Sequence, residues 1–130
     1  MTDFAIVIHG APCSSESAHT AYRFTRAALE NGHRIHRLFF FGDGVYNLNR
    51  LAVAAQDETN LPAQWNELIL KHKLDAVVCV SSAVRRGIVD TQEAERHELG
   101  AASAYPSAEI AGLGQLVDAA LHADRTINFG

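Results

Sequence analysis

The sequence predicts an α/β fold, an open three-layer sandwich built on a mostly parallel sheet of about five strands. Two patterns carry this expectation. Short apolar runs alternate along the chain with segments of helical periodicity, and that order implies right-handed crossovers between parallel strands. The run Ala76-Val77-Val78-Cys79-Val80 is apolar without alternation, as in a strand covered on both faces.

Taken in order, Phe4 to His9 is the first strand, and Gly10 to Ser15 is the turn into a helix. From Glu16 to Asn31 the residues Ala18, Tyr22, Ala28 and Leu29, joined by Ala21, Phe24 and Ala27, recur at helical spacing, and Gly32 stops the helix. Ile35 to Phe41 is the second strand, ended by Gly42-Asp43-Gly44. A polar stretch from Asn47 to Asn60 leads to a helix over Leu61 to His72, with Leu61, Trp65, Leu68 and Ile69 on its buried side. Asp75 to Val80 is the third strand. Ser81 or Ser82 then caps a short helix that Gly87 stops, and Asp90 with Glu93 resembles a capping box for a helix ending at Gly100. Ser107 to Ile110 is a short fourth strand, Gly112-Leu113-Gly114 opens a last helix to Ala123, and Arg125 to Phe129 is the closing strand.

A chain of 130 residues suits one domain, 1–130, with a single core. Hydrophobic residues make up 48% and charged residues 20%, the balance of a globular protein. A net charge of −4 argues against direct binding of nucleic acid, which needs clustered Lys and Arg to neutralise phosphates. No apolar run approaches the roughly 18 residues of a membrane span, and the N-terminus lacks a signal-peptide pattern. The expected location is therefore cytoplasmic, with no membrane contact. Thiols stay reduced in that compartment, so Cys13 and Cys79 are expected to be free.

Function in open parallel sheets collects outside the carboxyl ends of the strands. Cys79 falls there, at the end of the third strand and just before a candidate N-cap. Backbone N–H groups near its sulfur would lower the thiol pKa and favour the reactive thiolate, and Arg85 and Arg86 would add to the effect if their helix is short. Two readings stand: a reactive thiol, which must be reachable by another macromolecule, or a small buried strand residue. Cys13 lies in a loop and would be placed to resolve a disulfide with Cys79 if the first and third strands are neighbours, as they often are in such sheets.

Other chemistries find less support. His33 and His36 tend to opposite faces of a strand, His9 suits a hydrogen-bonded role, and His72, His97 and His122 read as solvated, so no metal site is expected. Neither GxGxxG nor GxxxxGK is present, and no GxSxG elbow follows a strand. The loop Pro12 to Ser17 offers a helix N-terminus for a flavin phosphate, but Glu16 opposes an anion there. The segment from Gly42 to Asn60 is long for a compact domain and suggests a binding surface, to which Tyr46, Leu48 and Trp65 would contribute apolar contacts if they are not core.

Several stretches together resemble the DsrE/TusD family of sulfur-relay proteins, nearer to its DsrE branch: Phe4-Ala5-Ile6-Val7, Phe39-Phe40, Gly44-Val45-Tyr46-Asn47, and Cys79 followed by Ala83, Arg85-Arg86-Gly87 and Asp90. Gly112-Leu113-Gly114 and the tail from Asp124-Arg125 to Phe129 continue the pattern over nearly the whole chain. The resemblance implies a DsrE-like fold and a sulfurtransferase in which Cys79 accepts sulfane sulfur as a persulfide and passes it to a partner cysteine, without cofactor. It also implies an α2β2γ2 heterohexamer with DsrF/TusC-like and DsrH/TusB-like relatives, served by TusA-like and DsrC/TusE-like donor and acceptor proteins. The pathway implied is either dissimilatory sulfur oxidation or synthesis of 2-thiouridine in tRNA. A non-catalytic assembly subunit, and a small flavin- or nucleotide-binding protein, are the alternatives. Nothing functional is carried onto Cys13.

Overall fold

The computed structural model describes residues 1–130. Its strands are β1 (Asp3–Ile8), β2 (Arg34–Phe40), β3 (Ala76–Cys79), β4 (Glu109–Ala111) and β5 (Arg125–Phe129). All neighbouring pairs are parallel, in the order β4-β3-β2-β1-β5. The chain steps from β1 through β4 in one direction, then returns to lay β5 beside β1. Right-handed crossovers that advance one way place their helices on one face, and a crossover in the reverse direction uses the other. Accordingly α1 (Glu16–Glu30), α2 (Leu61–His72) and α3 (Val80–Arg85) contribute to the core on the first face, and α5 (Gly114–His122) covers the second. Between α3 and β4 lies the short α4 (Thr91–Arg96).

The two faces are unequal. On the first, Ile6, Ile8, Leu38, Phe40 and Val78 of the sheet join Ala18, Ala21, Leu61, Trp65 and Ala83 of the helices in a cluster of 19 buried residues. The second carries a cluster of four, Val7, Phe39, Val77 and Cys79, against which Leu116 of α5 packs. The alternation of side chains along each strand splits neighbours such as Val77 and Val78 between the two clusters. This is why β3 reads as continuously apolar.

The helices begin where polar side chains satisfy their free N–H groups. The Ser15 hydroxyl accepts from Ser17 N–H at 3.1 Å before α1, Asn60 accepts from Ala63 N–H at 3.1 Å before α2, and Asp90 accepts from Glu93 N–H at 2.8 Å before α4. No helix is long and apolar enough to cross a membrane.

Three features differ from the sequence reading. Gly42–Leu48 forms a 3-10 helix in place of a turn and the start of a polar stretch, and it buries Val45 and Leu48. The chain can pass so close to β1 because Gly44 has no side chain: a Cβ there would collide with the Ile8 carbonyl oxygen. The helix after β3 begins at Val80, not after Ser81 or Ser82, so Cys79 itself is the N-cap, with φ −62° and ψ 122°. Finally, α4 ends at Arg96 rather than Gly100, because the backbone turns left-handed at Glu98 (φ 55°) and again at Gly100 (φ 85°). Of the alternatives open for Leu48 and Trp65, core packing holds: both are buried, Trp65 as its place on the apolar side of α2 predicts.

Candidate functional site

Cys79 ends β3 with its side chain on the α5 face. Its sulfur sits among Val7, Phe39 and Val77, and Phe41, Ala111 and Leu116 close over that cluster, leaving the residue 1% exposed. The sequence reading expects a thiol open to another macromolecule, and the resting structure covers it. The cover is thin on one side: the Ser81 hydroxyl lies 3.5 Å from the sulfur, and Ser81 itself is exposed.

Two effects act on this thiol in opposite directions. Burial disfavours the charged thiolate and pushes the pKa up; hydrogen bonds from the Ser81 hydroxyl, the Ser82 amide and hydroxyl, and the Ser81 amide push it down. The hydrogen bonds prevail, so the pKa lies below that of an ordinary cysteine. Because α3 starts directly after Cys79, Ser81 and Ser82 occupy its first turn, where their N–H groups have no partner within the helix.

Ser82 is held from two sides. Its hydroxyl accepts the Gly42 N–H at 3.0 Å, and its carbonyl accepts from the Arg86 guanidinium at 3.1 Å. The same guanidinium donates from Nε to Asp43 Oδ1 at 2.9 Å. Arg86 thus takes part in the site through Ser82, whereas Arg85 is exposed and forms no side-chain hydrogen bond or ion pair. Sequence reasoning named Arg86 and Ser82 but missed Gly42 and Asp43 as their partners. The signal available was the Gly-Asp pair at the carboxyl end of the neighbouring strand.

The other candidates are elsewhere. Cys13 is exposed in the turn before α1, on the rim of the largest cavity, about 520 Å³, which is lined by Pro12 to Glu16, His19, Glu58 and Thr59. Strand β2 separates β1 from β3, so the neighbouring-strand condition for a Cys13–Cys79 disulfide is not met, and both thiols are free. Two carboxylates line that cavity and only one of its lining residues is hydrophobic, which suits neither a phosphate nor a flavin ring. The histidines are dispersed in structural roles: His9 pairs with Asn128 at 3.0 Å, His33 accepts the Thr2 N–H at 3.0 Å, and His36 faces Asp3 at 3.4 Å. His122 is exposed yet stacks on His36 with ring centroids 6.2 Å apart, a contact that its place at a helix end did not announce. No group of three or more His, Cys, Asp or Glu side chains is placed to hold a metal ion.

Fold and site together define a thiol-bearing protein of the parallel α/β class. The chain belongs to the DsrE/DsrF-like family, whose family model matches residues 2–129. It is 47% identical over 127 residues to the putative sulfurtransferase DsrE of Allochromatium vinosum, covering 98% of both chains. The sulfurtransferase TusD homolog of Pseudomonas aeruginosa is also 47% identical, with 98% of this chain and 96% of the relative covered. Sulfurtransferase TusD of Serratia proteamaculans is 40% identical over 129 residues, 99% of this chain and 100% of the other. Among solved structures, the ychN protein from E. coli superposes with a TM-score of 0.80 at 25% identity, over 99% of this chain and 100% of the other.

Proposed function

We propose that Cys79 carries sulfane sulfur as a persulfide and hands it to a cysteine of a partner protein. The chain is a sulfurtransferase of a sulfur relay, in keeping with the named activities of its full-length relatives. The observation that carries the assignment to Cys79 is its place as N-cap of α3 with the Ser81 hydroxyl 3.5 Å from the sulfur, an arrangement in which the thiol pKa is lowered. In the loading step the Cys79 thiolate attacks the outer sulfur of a donor persulfide. One S–S bond forms, the donor S–S bond breaks, and the donor cysteine leaves as its thiolate. Unloading is the same exchange with an acceptor thiolate attacking and the Cys79 thiolate leaving. Neither step changes the net oxidation state, so no external oxidant or reductant enters.

Sulfur-relay proteins of this family work with partner proteins. We infer an α2β2γ2 assembly with DsrF/TusC-like and DsrH/TusB-like relatives in the cytoplasm, with donor and acceptor of the TusA-like and DsrC/TusE-like kinds. The same thiol exchange serves sulfur oxidation and tRNA thiolation. Because Cys79 is covered in the isolated chain, transfer requires that docking of the partner uncover the sulfur.

Intact mass spectrometry after incubation with a sulfane-sulfur donor tests the assignment. The expected result is a gain of one sulfur atom mapped to Cys79, lost in Cys79→Ser and retained in Cys13→Ser. Loading that survives Cys79→Ser would remove Cys79 from the reaction. Unchanged sulfur flux through a complex built with that variant would leave the chain an assembly subunit.

A further inference from the structure

We propose that Arg86 is a positioning residue for the sulfur site, acting through Ser82 and resting on the reading of Cys79 as the sulfur carrier. Two contacts join α3 to the 3-10 helix that follows β2, Gly42 N–H to the Ser82 hydroxyl and Arg86 Nε to Asp43, and a third, Arg86 to the Ser82 carbonyl, braces α3 from within. A serine hydroxyl has one proton to donate and two lone pairs to accept with. Gly42 N–H takes one lone pair of the Ser82 hydroxyl and leaves its proton free to donate within the first turn that Cys79 caps. The Arg86 contact fixes the carbonyl of the same residue, and with it the direction of the first turn of α3, whose Ser81 hydroxyl lies 3.5 Å from the sulfur. One guanidinium does both jobs because its N–H groups form a rigid fork; a lysine ammonium on a flexible stem carries the same charge without that geometry.

The alternative is that positive charge near the thiol is all that matters. Arg85 and Arg86 are adjacent in sequence, but only Arg86 contacts Ser82, so the two accounts separate by substitution. The midpoint of thiolate formation at Cys79, followed by ultraviolet absorbance in a Cys13→Ser background, is the measurement, and it needs no access for a reagent. Positioning predicts that Arg86→Ala and Arg86→Lys both raise the midpoint by about half to one pH unit, which is about three to ten times less thiolate at a pH below it. Asp43→Asn moves it the same way, and Arg85→Ala leaves it unchanged. A wild-type midpoint in Arg86→Lys, with equal shifts in Arg85→Ala and Arg86→Ala, would assign the effect to charge alone and overturn the proposal, as would wild-type midpoints throughout. Should Arg86→Ala fail to fold, Arg86→Lys and Asp43→Asn carry the test. Failure of sulfur loading at Cys79 is scored separately by mass, so failure of the carrier assignment is distinguishable from failure of the positioning role.

Discussion

At Cys79 the fold sets burial against hydrogen bonding, and the second wins. The thiolate is therefore more stable in the folded chain than in the unfolded one, where a cysteine titrates near ~8.5. The sign follows from proton binding. Below the folded-state pKa the sulfur is protonated in both states and ionisation contributes nothing. As pH rises through that value toward the unfolded one the contribution appears, and above the unfolded value it is fully present. Wild-type protein is expected to gain stability relative to Cys79→Ala as pH rises through this window, measured as urea midpoints at a series of pH values. A flat or falling difference contradicts the hydrogen-bonded thiolate. The position of Cys79 at a strand end was legible in the apolar run that precedes it. Its role as N-cap was not, because serine is the stronger capping residue and two serines follow just after Val80. Its burial depends on Phe41, Ala111 and Leu116, which come from three other segments of the chain and close over its cluster, and no local pattern reports such contacts.

At the scale of elements, Arg37 fastens α5 to the sheet. Its side chain is 12% exposed and donates to Asp75 at 2.8 Å, to Asp118 at 3.0 Å and to the Gln115 carbonyl at 2.8 Å. The two carboxylates raise its pKa further above its already high ordinary value, so it stays charged at all working pH. Arg37→Ala removes all three contacts, but Asp75 and Asp118 are about half exposed and regain water. The cost is thus set below the 3–5 kcal/mol of a broken, fully buried pair, at about 2 kcal/mol, to be read from urea unfolding. A loss below about 0.5 kcal/mol would mean that α5 is held by its apolar contacts alone. Strands and long helices were legible because their periodicity is local. The 3-10 helix was not, since Gly42-Asp43-Gly44 carries the composition of a turn. Its motif has a physical reading once folded: Gly44 permits the approach to Ile8, Val45 is buried, and Asn47 donates to the Gly10 and Gly44 carbonyls at 3.0 and 2.9 Å.

For the whole molecule, strand order decides how the sulfur is reached. The sequence supplied five strands and their parallel sense, but the order depends on which edge each crossover joins, and β2 between β1 and β3 was not encoded in any one segment. Three crossovers on one face and a single return on the other leave the cluster that holds Cys79 covered by Leu116 of α5 with Phe41 and Ala111, so exposure of the sulfur on that side requires local opening at α5. In the isolated chain a neutral alkylating reagent is therefore expected to label exposed Cys13 faster than Cys79, although Cys79 has the lowered pKa. Labelling through an opening scales with the open population, so losing about 2 kcal/mol of α5 fastening in Arg37→Ala speeds Cys79 labelling about 30-fold and leaves Cys13 unchanged. Site-resolved mass spectrometry over a time course measures both rates. Equal labelling of the two cysteines in the wild type would show a sulfur already reachable past Ser81, and an Arg37→Ala rate no faster than wild type would show that the path to the sulfur does not run beneath α5.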